Sequence, residues 1–422
     1  MRQRKKRNIV VGLDVGTTKI CTVIAEAAPE GQMHILGVGT APSKGLHRGT
    51  VVNIETTVDC IGKAVEEAEQ TAGCEVQTVF VGIAGGHIKS QNSRGVVSIN
   101  SESKEITFED VTRVIESAQA ITIAFDREIL HAIPQTYIVD GQDGIKNPIG
   151  LIGMRLEADV HIVTGAVTSA QNIIKCVNLA GFQVEDIVLQ PLASSMATLT
   201  DVDKEVGVLL IDIGGGTTDY IVFSDDTVKH SDVIAMGGDL ITRDIAKVLA
   251  IPEVNAENLK LKYGHALSNE IMENEEIPLP PTVGRDARNE SRKLLAEIIE
   301  DRMKEILNIV KEEVERKGYG NIIGNGVVLT GGACLLKGTK ELARLVFNNI
   351  PTRIGKPLNV INSPQELDNP IYSTGVGLAR YGIEFREKGE QRINLNKRKV
   401  FNNIFRKMQN WVKNKFSLFG WT

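Results

Sequence analysis

The 422 residues are enough for two domains with full cores, 42% of them being hydrophobic and 24% charged. The net formal charge is only −5, but five basic residues precede residue 8 and eight basic residues, with no acidic one, follow residue 390; taking those thirteen away leaves −18 for the body. Such a body argues against nucleic-acid binding along its length and leaves the basic ends to meet an anionic surface, while five scattered cysteines without a CxxC or a Cys/His cluster argue for a reduced cytoplasm and against a zinc site or a disulfide framework.

The basic start leads into "NIVVGL", a short apolar β-like run ending at Asp14 and too short for a signal-peptide core. Gly16 lets the chain turn tightly, Thr17, Thr18 and Lys19 follow, and "KICTVIAE" resumes a strand pattern, so the stretch reads as a β-hairpin. Further on, residues 107–121 read as a helix with Phe108, Glu109 and Asp110 at its start, and residues 189–199 as another. The hairpin plan then returns. A strand over residues 206–211 leads to Asp212, then Gly214, Gly215, Gly216, Thr217, Thr218 and Asp219, and a strand at 220–223. Neither copy carries GxxxxGK[ST] or GxGxxG followed by a helix, so neither is a P-loop or a dinucleotide fingerprint. Glycines admit backbone N–H groups close to an anion, hydroxyls add donors, and a carboxylate at the head of each turn can hold hydrated magnesium. Two matched hairpins facing each other would grip a polyphosphate from both sides, and an internal duplication explains the pair.

After the second hairpin, "AMGGDLITRDIA" places Gly237 and Gly238 at a helix start, and Glu257 and Lys260 stand one turn apart, where the plain alternative is a solvated helix pair. Residues 290–318 form a long amphipathic helix whose apolar stripe reads as core. "GVVLTGGACLLKG" is a third buried strand meeting glycines; Gly331, Gly332 and Ala333 would let a flat base or ribose lie against the backbone beside a helix N-terminus. Residues 373–382 read as a further helix, residues 386–399 as a flexible linker, and the lone histidines, in no triad spacing, as structural or surface groups.

The order hairpin, hairpin, glycine strand–turn, with helices at 189–199 and 373–382, resembles the actin/Hsp70/sugar-kinase superfamily of ATP-binding proteins. The stretch "HAIPQTYIVDGQDGIKNPIGLIGMRLEADVHIVTG", together with "GTVVNIETTVDCIGKAVEEAE", is similar to the FtsA family of cell-division proteins. The resemblance implies an α/β, two-lobed actin-like fold, a duplicated ribonuclease H-like design with a relocated inserted subdomain. The first lobe is expected at residues 8–85 with 164–192 and the inserted subdomain at 86–163. The second lobe is expected at 193–235 with 323–385, carrying a helical insert at 236–322. By resemblance Asp14 and Asp212 are the magnesium-side carboxylates, and Gly16–Lys19 and Gly214–Thr217 the two phosphate loops. Gly237, Gly238, Glu257, Lys260, Gly331, Gly332 and Ala333 would receive the nucleoside. Gln190 stands where the superfamily orients the attacking water, but an amide cannot act as a base, so the expected role is a nucleotide-dependent scaffold with weak ATPase activity at most. The implied cofactors are ATP and Mg2+. The implied partners are the C-terminal peptide of FtsZ on the helical insert, further copies in a head-to-tail filament, later division proteins and an anionic membrane at the division site. A small-molecule kinase, a chaperone-like ATPase and a membrane-associated pilus-assembly protein are the alternatives. The kinase would need an Asp facing a substrate cleft, and the chaperone a further domain.

The last stretch, residues 400–422, closes the reading. Phe401, Ile404, Phe405, Met408, Trp411, Val412, Phe416 and Phe419 recur at steps of one, three and four. Wound as a helix they share one face, as in helices that lie flat in the headgroup region; the alternative is a terminal helix docked on the protein's own core.

Overall fold

The computed structural model describes residues 9–281, 286–361 and 364–394, so the basic arm at 1–7 and the amphipathic segment at 400–422, with its eight candidate membrane-facing residues, lie outside the described residues. The rest forms two lobes built on one plan. In the first lobe Ile9–Val15 runs antiparallel to Lys19–Ala27, which runs antiparallel to Met33–Pro42; on its other side it is parallel to Thr78–Ile83, and Gln183–Leu189 follows. In the second lobe Val208–Ile213 runs antiparallel to Thr218–Ser224, then Thr227–Ile234, and parallel to Gly326–Thr330, followed by Thr352–Ile354. Both sheets therefore have a three-strand meander joined to a parallel pair, and the first adds the short edge strand Val360–Ile361. The central strands are rich in Val, Ile and Leu on both faces, interrupted only by Gly12 and by the aspartates near their ends, because helices cover both faces.

Two helices join the lobes, Gln190–Thr198 and Ser373–Asn394, and they pack on each other. They cross closely: a Cβ on Gly377 would lie 1.8 Å from the Ala193 carbonyl oxygen. The subdomain inserted in the first lobe is a four-stranded sheet, Lys89–Ser98, Arg155–Ala166, Arg127–Val139 and Gln142–Ile145 in that order, with the helix Phe108–Ala118 on one face. Thr107 and Asp110 cap that helix reciprocally, each side chain accepting from the other's backbone N–H. The insert also meets the second lobe through side chains on the edge strand Thr227–Ile234. Ser90 Oγ donates to the Ser231 carbonyl at 2.6 Å, Gln135 Nε2 to the Val228 carbonyl at 2.6 Å, and His161 Nε2 lies 2.9 Å from Ser231 Oγ.

Two expectations need correction. The insert at 236–322 is not all helical: beside the helices Gly238–Leu249, Glu253–Tyr263 and Arg292–Arg316 it carries a two-stranded sheet, Glu276–Leu279 with Arg288–Ser291. The alternation there, Ile277 and Leu279 buried between exposed neighbours, is the strand period. The expected linker from residue 386 is helical to Asn394. Arg386 fastens that stretch, donating to the Ile9 carbonyl and to Glu185 Oε2, both at 2.6 Å.

Candidate functional site

The two hairpins close with the same bond at the same offset from their aspartates. Gly16 N–H donates to the Lys19 carbonyl at 3.1 Å, and Gly214 N–H to the Thr217 carbonyl at 2.9 Å. Each aspartate lies inside its strand, one residue before the end: Asp14 opposite Cys21, Asp212 opposite Asp219. The second register brings in a carboxylate, Asp219, that the sequence names at the end of the turn but marks with no role.

The hairpin tips meet across the cleft. A Cβ on Gly215 would sit 1.9 Å from Thr18 Oγ1, so only glycine permits this approach. Gly216 faces Thr17 in the same way, and Thr17 Oγ1 also accepts from Gly49 N–H at 3.2 Å. Gly237 and Gly238 open the helix Gly238–Leu249, which is stitched to the second hairpin by Gly238 N–H to the Gly214 carbonyl, 2.9 Å, and Asp239 N–H to the Gly215 carbonyl, 2.8 Å. An open depression at this point is lined by His47, Arg48, Gly215, Gly216, Asp239 and Arg243. The third glycine turn arrives from the other side. Gly331 has φ +84°, and Ala333 lies within van der Waals reach of Gly238. Gly332 follows at the start of the turn Gly332–Leu335.

Glu257 and Lys260 are not a solvated pair. Lys260 is buried, and its Nζ reaches Glu257 Oε2 at 2.6 Å, Thr242 Oγ1 at 2.7 Å and the Gly238 carbonyl at 3.1 Å. Glu257 also bonds Thr242, a partner the sequence did not announce. Lys19, expected among the phosphate-loop donors, is pinned to the second lobe's side of the cleft: its Nζ donates to the Ile371 carbonyl at 2.7 Å and lies 4.2 Å from the Tyr372 ring centroid.

The connecting helix Gln190–Thr198 holds a carboxylate from each lobe. Gln190 Nε2 donates to Asp14 Oδ1 at 3.0 Å; one turn on, Ser194 Oγ donates to Asp212 Oδ2 at 2.5 Å. Thr374, in the first turn of the other connecting helix, adds a bond to Asp212 Oδ2 at 3.1 Å. Ser194 and Thr374 are absent from the sequence reading, although Gln190 and Ser194 at i and i+4 share a helix face.

Burial drives the electrostatics here. The Asp14 carboxyl is pushed up to about 7, chiefly by desolvation, with Lys19 holding it down and Asp212 pushing it further up. Burial raises Asp212 too, against the donations from Ser194 and Thr374. Asp219 is raised well above the carboxylate range by burial and then by Asp212, and its Oδ1 is buried with no hydrogen-bond partner. Three buried carboxylates that act on one another, with Lys19 as the cation acting on two of them, form a cluster that favours an added positive charge.

Comparison with known proteins places this geometry. The family model described as "SHS2 domain inserted in FTSA" matches residues 85–164, and the one described as "Cell division protein FtsA" matches residues 209–377. The chain is 45% identical to the cell division protein FtsA of Pseudomonas aeruginosa over 90% of this chain and 91% of that one. It is likewise 45% identical to FtsA of Borreliella burgdorferi over 96% and 98%. Among solved structures it resembles the PilM–PilN type IV pilus biogenesis complex, with TM-score 0.66, 14% identity, 89% of this chain and 99% of that one. It also resembles MreB5 of Spiroplasma citri bound to ADP, with TM-score 0.54, 14% identity, 93% and 99%. At such identities the likeness shows the fold alone, and that fold is the two-lobed actin-like one.

Proposed function

We propose, for a cell division protein that belongs to the FtsA family, that the cleft between the lobes binds ATP with Mg2+ and that the loaded molecule builds a filament tethering the FtsZ ring to the membrane. The observation that carries the nucleotide reading is the duplicated hairpin: two turns with one hydrogen-bond pattern, each beside a buried aspartate, meeting tip to tip beneath a third glycine turn. The Spiroplasma neighbour of the same fold is described as bound to ADP, which supports it. In this reading the backbone N–H groups and hydroxyls of Gly16–Lys19 and Gly214–Thr217 meet the phosphates. Gly237, Gly238, Glu257, Lys260, Gly331, Gly332 and Ala333 receive the nucleoside.

The residues fit magnesium through its water shell. Asp219 Oδ1 is buried and unpartnered beside Asp14 and Asp212, yet no group of three or more His, Cys, Asp or Glu among the described residues could by itself enclose a metal ion. A cation held there would keep several waters and share the phosphate oxygens, the usual habit of Mg2+. When bound it would neutralise charge on the three carboxylates and on the phosphates. Gln190 orients a polar group toward Asp14 but supplies no base, so ATP turnover is weak at most.

Partner binding belongs to the same proposal. Exposed apolar side chains on the second lobe's insert, Val248, Val254, Leu261 and Met272, support docking of the FtsZ C-terminal peptide there. Two lobes of one design favour head-to-tail stacking, a contact that does not close into a ring. Later division proteins would join the assembled filament. Among the described residues no helix is long and apolar enough to cross a membrane, so attachment at the cytoplasmic face is assigned to residues 400–422. The test of the cleft is a titration of the full chain with ATP in magnesium and in EDTA. Asp212→Ala is expected to weaken Mg-ATP far more than metal-free ATP. Equal wild-type affinity in both buffers, with no change in the variant, would overturn the reading.

A further inference from the structure

The bonds to Asp212 come from both connecting helices. Ser194 Oγ, on Gln190–Thr198, and Thr374 Oγ1, on Ser373–Asn394, both end on Oδ2, at 2.5 and 3.1 Å, and the two hydroxyl oxygens lie 3.0 Å apart. Ser194 has an alternative acceptor, the Gln190 carbonyl at 3.1 Å, but its single proton has the shorter path to the carboxylate, the range of a charge-assisted bond. With Oδ2 so occupied, Oδ1 faces Gly331, where a Cβ would lie 2.4 Å away. The neighbouring residue Ala193 meets Gly377, one turn beyond Thr374, at a close approach of the two helices that leaves no room for a Cβ. A change in the crossing of these helices therefore moves the two hydroxyls relative to each other and to Asp212. On the other lobe Asp14 is tied to the same helix by Gln190, one turn before Ser194.

We propose that Ser194 and Thr374 are positioning residues. They hold Asp212 by one oxygen, keep the other toward the cleft, and with Gln190 fix the spacing between the carboxylates of the two lobes, so that cation binding and the crossing of the connecting helices are one event. This rests on the nucleotide reading above. The ligand class is a magnesium–nucleoside triphosphate, and the two hydroxyls act on its metal side without touching the base or ribose.

The test uses the full chain and ATP affinity measured by titration, with Mg2+ and with EDTA. Ser194→Ala and Thr374→Val are each expected to cut the magnesium-dependent gain in affinity by about tenfold, the worth of one hydrogen bond to a charged group, and to leave metal-free binding within about twofold. Thr374→Ser, which keeps the hydroxyl and loses only a methyl, retains the gain. Melting curves run alongside, and if one variant fails to fold the other carries the comparison. The inference is overturned if both variants keep the full gain. Affinity that falls equally in both buffers, or Thr374→Ser failing as Thr374→Val does, overturns it too, since packing alone would then explain the loss. A wild type that binds no ATP in either buffer overturns the nucleotide reading as well, whereas tight wild-type binding with unaltered variants overturns this inference alone.

Discussion

At Gly331 the backbone holds φ +84°, and a Cβ there would lie 2.4 Å from Asp212 Oδ1 and 2.6 Å from the Ile213 carbonyl oxygen. Alanine would meet two costs at that position. One is backbone strain, on the order of 1–3 kcal/mol for a side chain held in the left-handed region. The other is overlap with a carboxylate that cannot easily retreat, because its other oxygen is held by Ser194 and Thr374. The next residue supplies the control, for a Cβ on Gly332 would meet only the Ile371 side chain, at 3.7 Å. Gly331→Ala is therefore expected to lower ATP affinity by more than about tenfold and to lower the melting temperature, whereas Gly332→Ala leaves the melting temperature near wild type. ATP titration and thermal melting check the pair. If Gly331→Ala binds like wild type, the third glycine turn does not line the site.

Among the elements, the strand Arg155–Ala166 of the inserted subdomain and the edge strand Thr227–Ile234 of the second lobe meet through two buried histidines. His161 Nδ1 lies 2.7 Å from Asn92 Oδ1 and its Nε2 2.9 Å from Ser231 Oγ; His230 stacks on Tyr319. Burial, then the neighbouring His230 and His131, push His161 down to about 3. Burial also pushes His230 down to about 4, with Lys317 and Arg316 lowering it further and Glu313 opposing. The unfolded chain takes up protons below about 6.5 while the folded one resists, so this seam's stability is whole above that pH and drains as the pH falls toward 4. At pH 5 the loss is about 2 kcal/mol per histidine. His161→Gln, which can keep polar contacts and cannot titrate, should lose less melting temperature than wild type between pH 7 and 5; an equal loss would mean that other groups set the acid limit. The contrast with the hairpins explains what the sequence made legible. Asp14 to Lys19 and Asp212 to Thr217 close on themselves within six residues, so glycine, threonine and strand pattern reveal them. The partners of His161 lie 69 and 70 residues away, and no local signal marks them. The solvated-pair alternative for Glu257 and Lys260 stays open in the sequence for the same reason, since Gly238 and Thr242 are brought to Lys260 by the fold. The start of the stretch from residue 386 gives no local signal, because Glu185 and the Ile9 carbonyl, which hold Arg386, reach it only once the sheet exists.

For the molecule as a whole, charge and architecture bear on the proposed attachment to an anionic membrane, for which no helix among the described residues is long and apolar enough to serve as a span. The body carries −18 and both ends are basic, so the ends are the parts an anionic leaflet attracts. The helix Ser373–Asn394 leads toward the tail and is tied at both lobes: Thr374 to Asp212 near its start, and Arg386, past its middle, to Glu185 and the Ile9 carbonyl. A load on the chain beyond it thus reaches both lobes through the helix whose first turn contacts Asp212. In the tail, eight apolar residues from Phe401 to Phe419 would share one face if the segment is wound as a helix, and each large one buried in an interface would be worth roughly 1.5–3 kcal/mol at most. Each basic residue near an anionic leaflet adds about 1 kcal/mol. Even after the cost of ordering the segment, the sum suffices for reversible attachment, and many copies along a filament would multiply it by avidity. Deleting residues 400–422, or changing Phe405 and Trp411 to Glu, is therefore expected to release the protein from anionic liposomes at moderate salt while ATP affinity stays at the wild-type value. Co-flotation with liposomes beside an ATP titration reads both. If the truncated chain still floats with the liposomes, the tail is not the anchor, and the five basic residues before residue 8 become the segment to remove next.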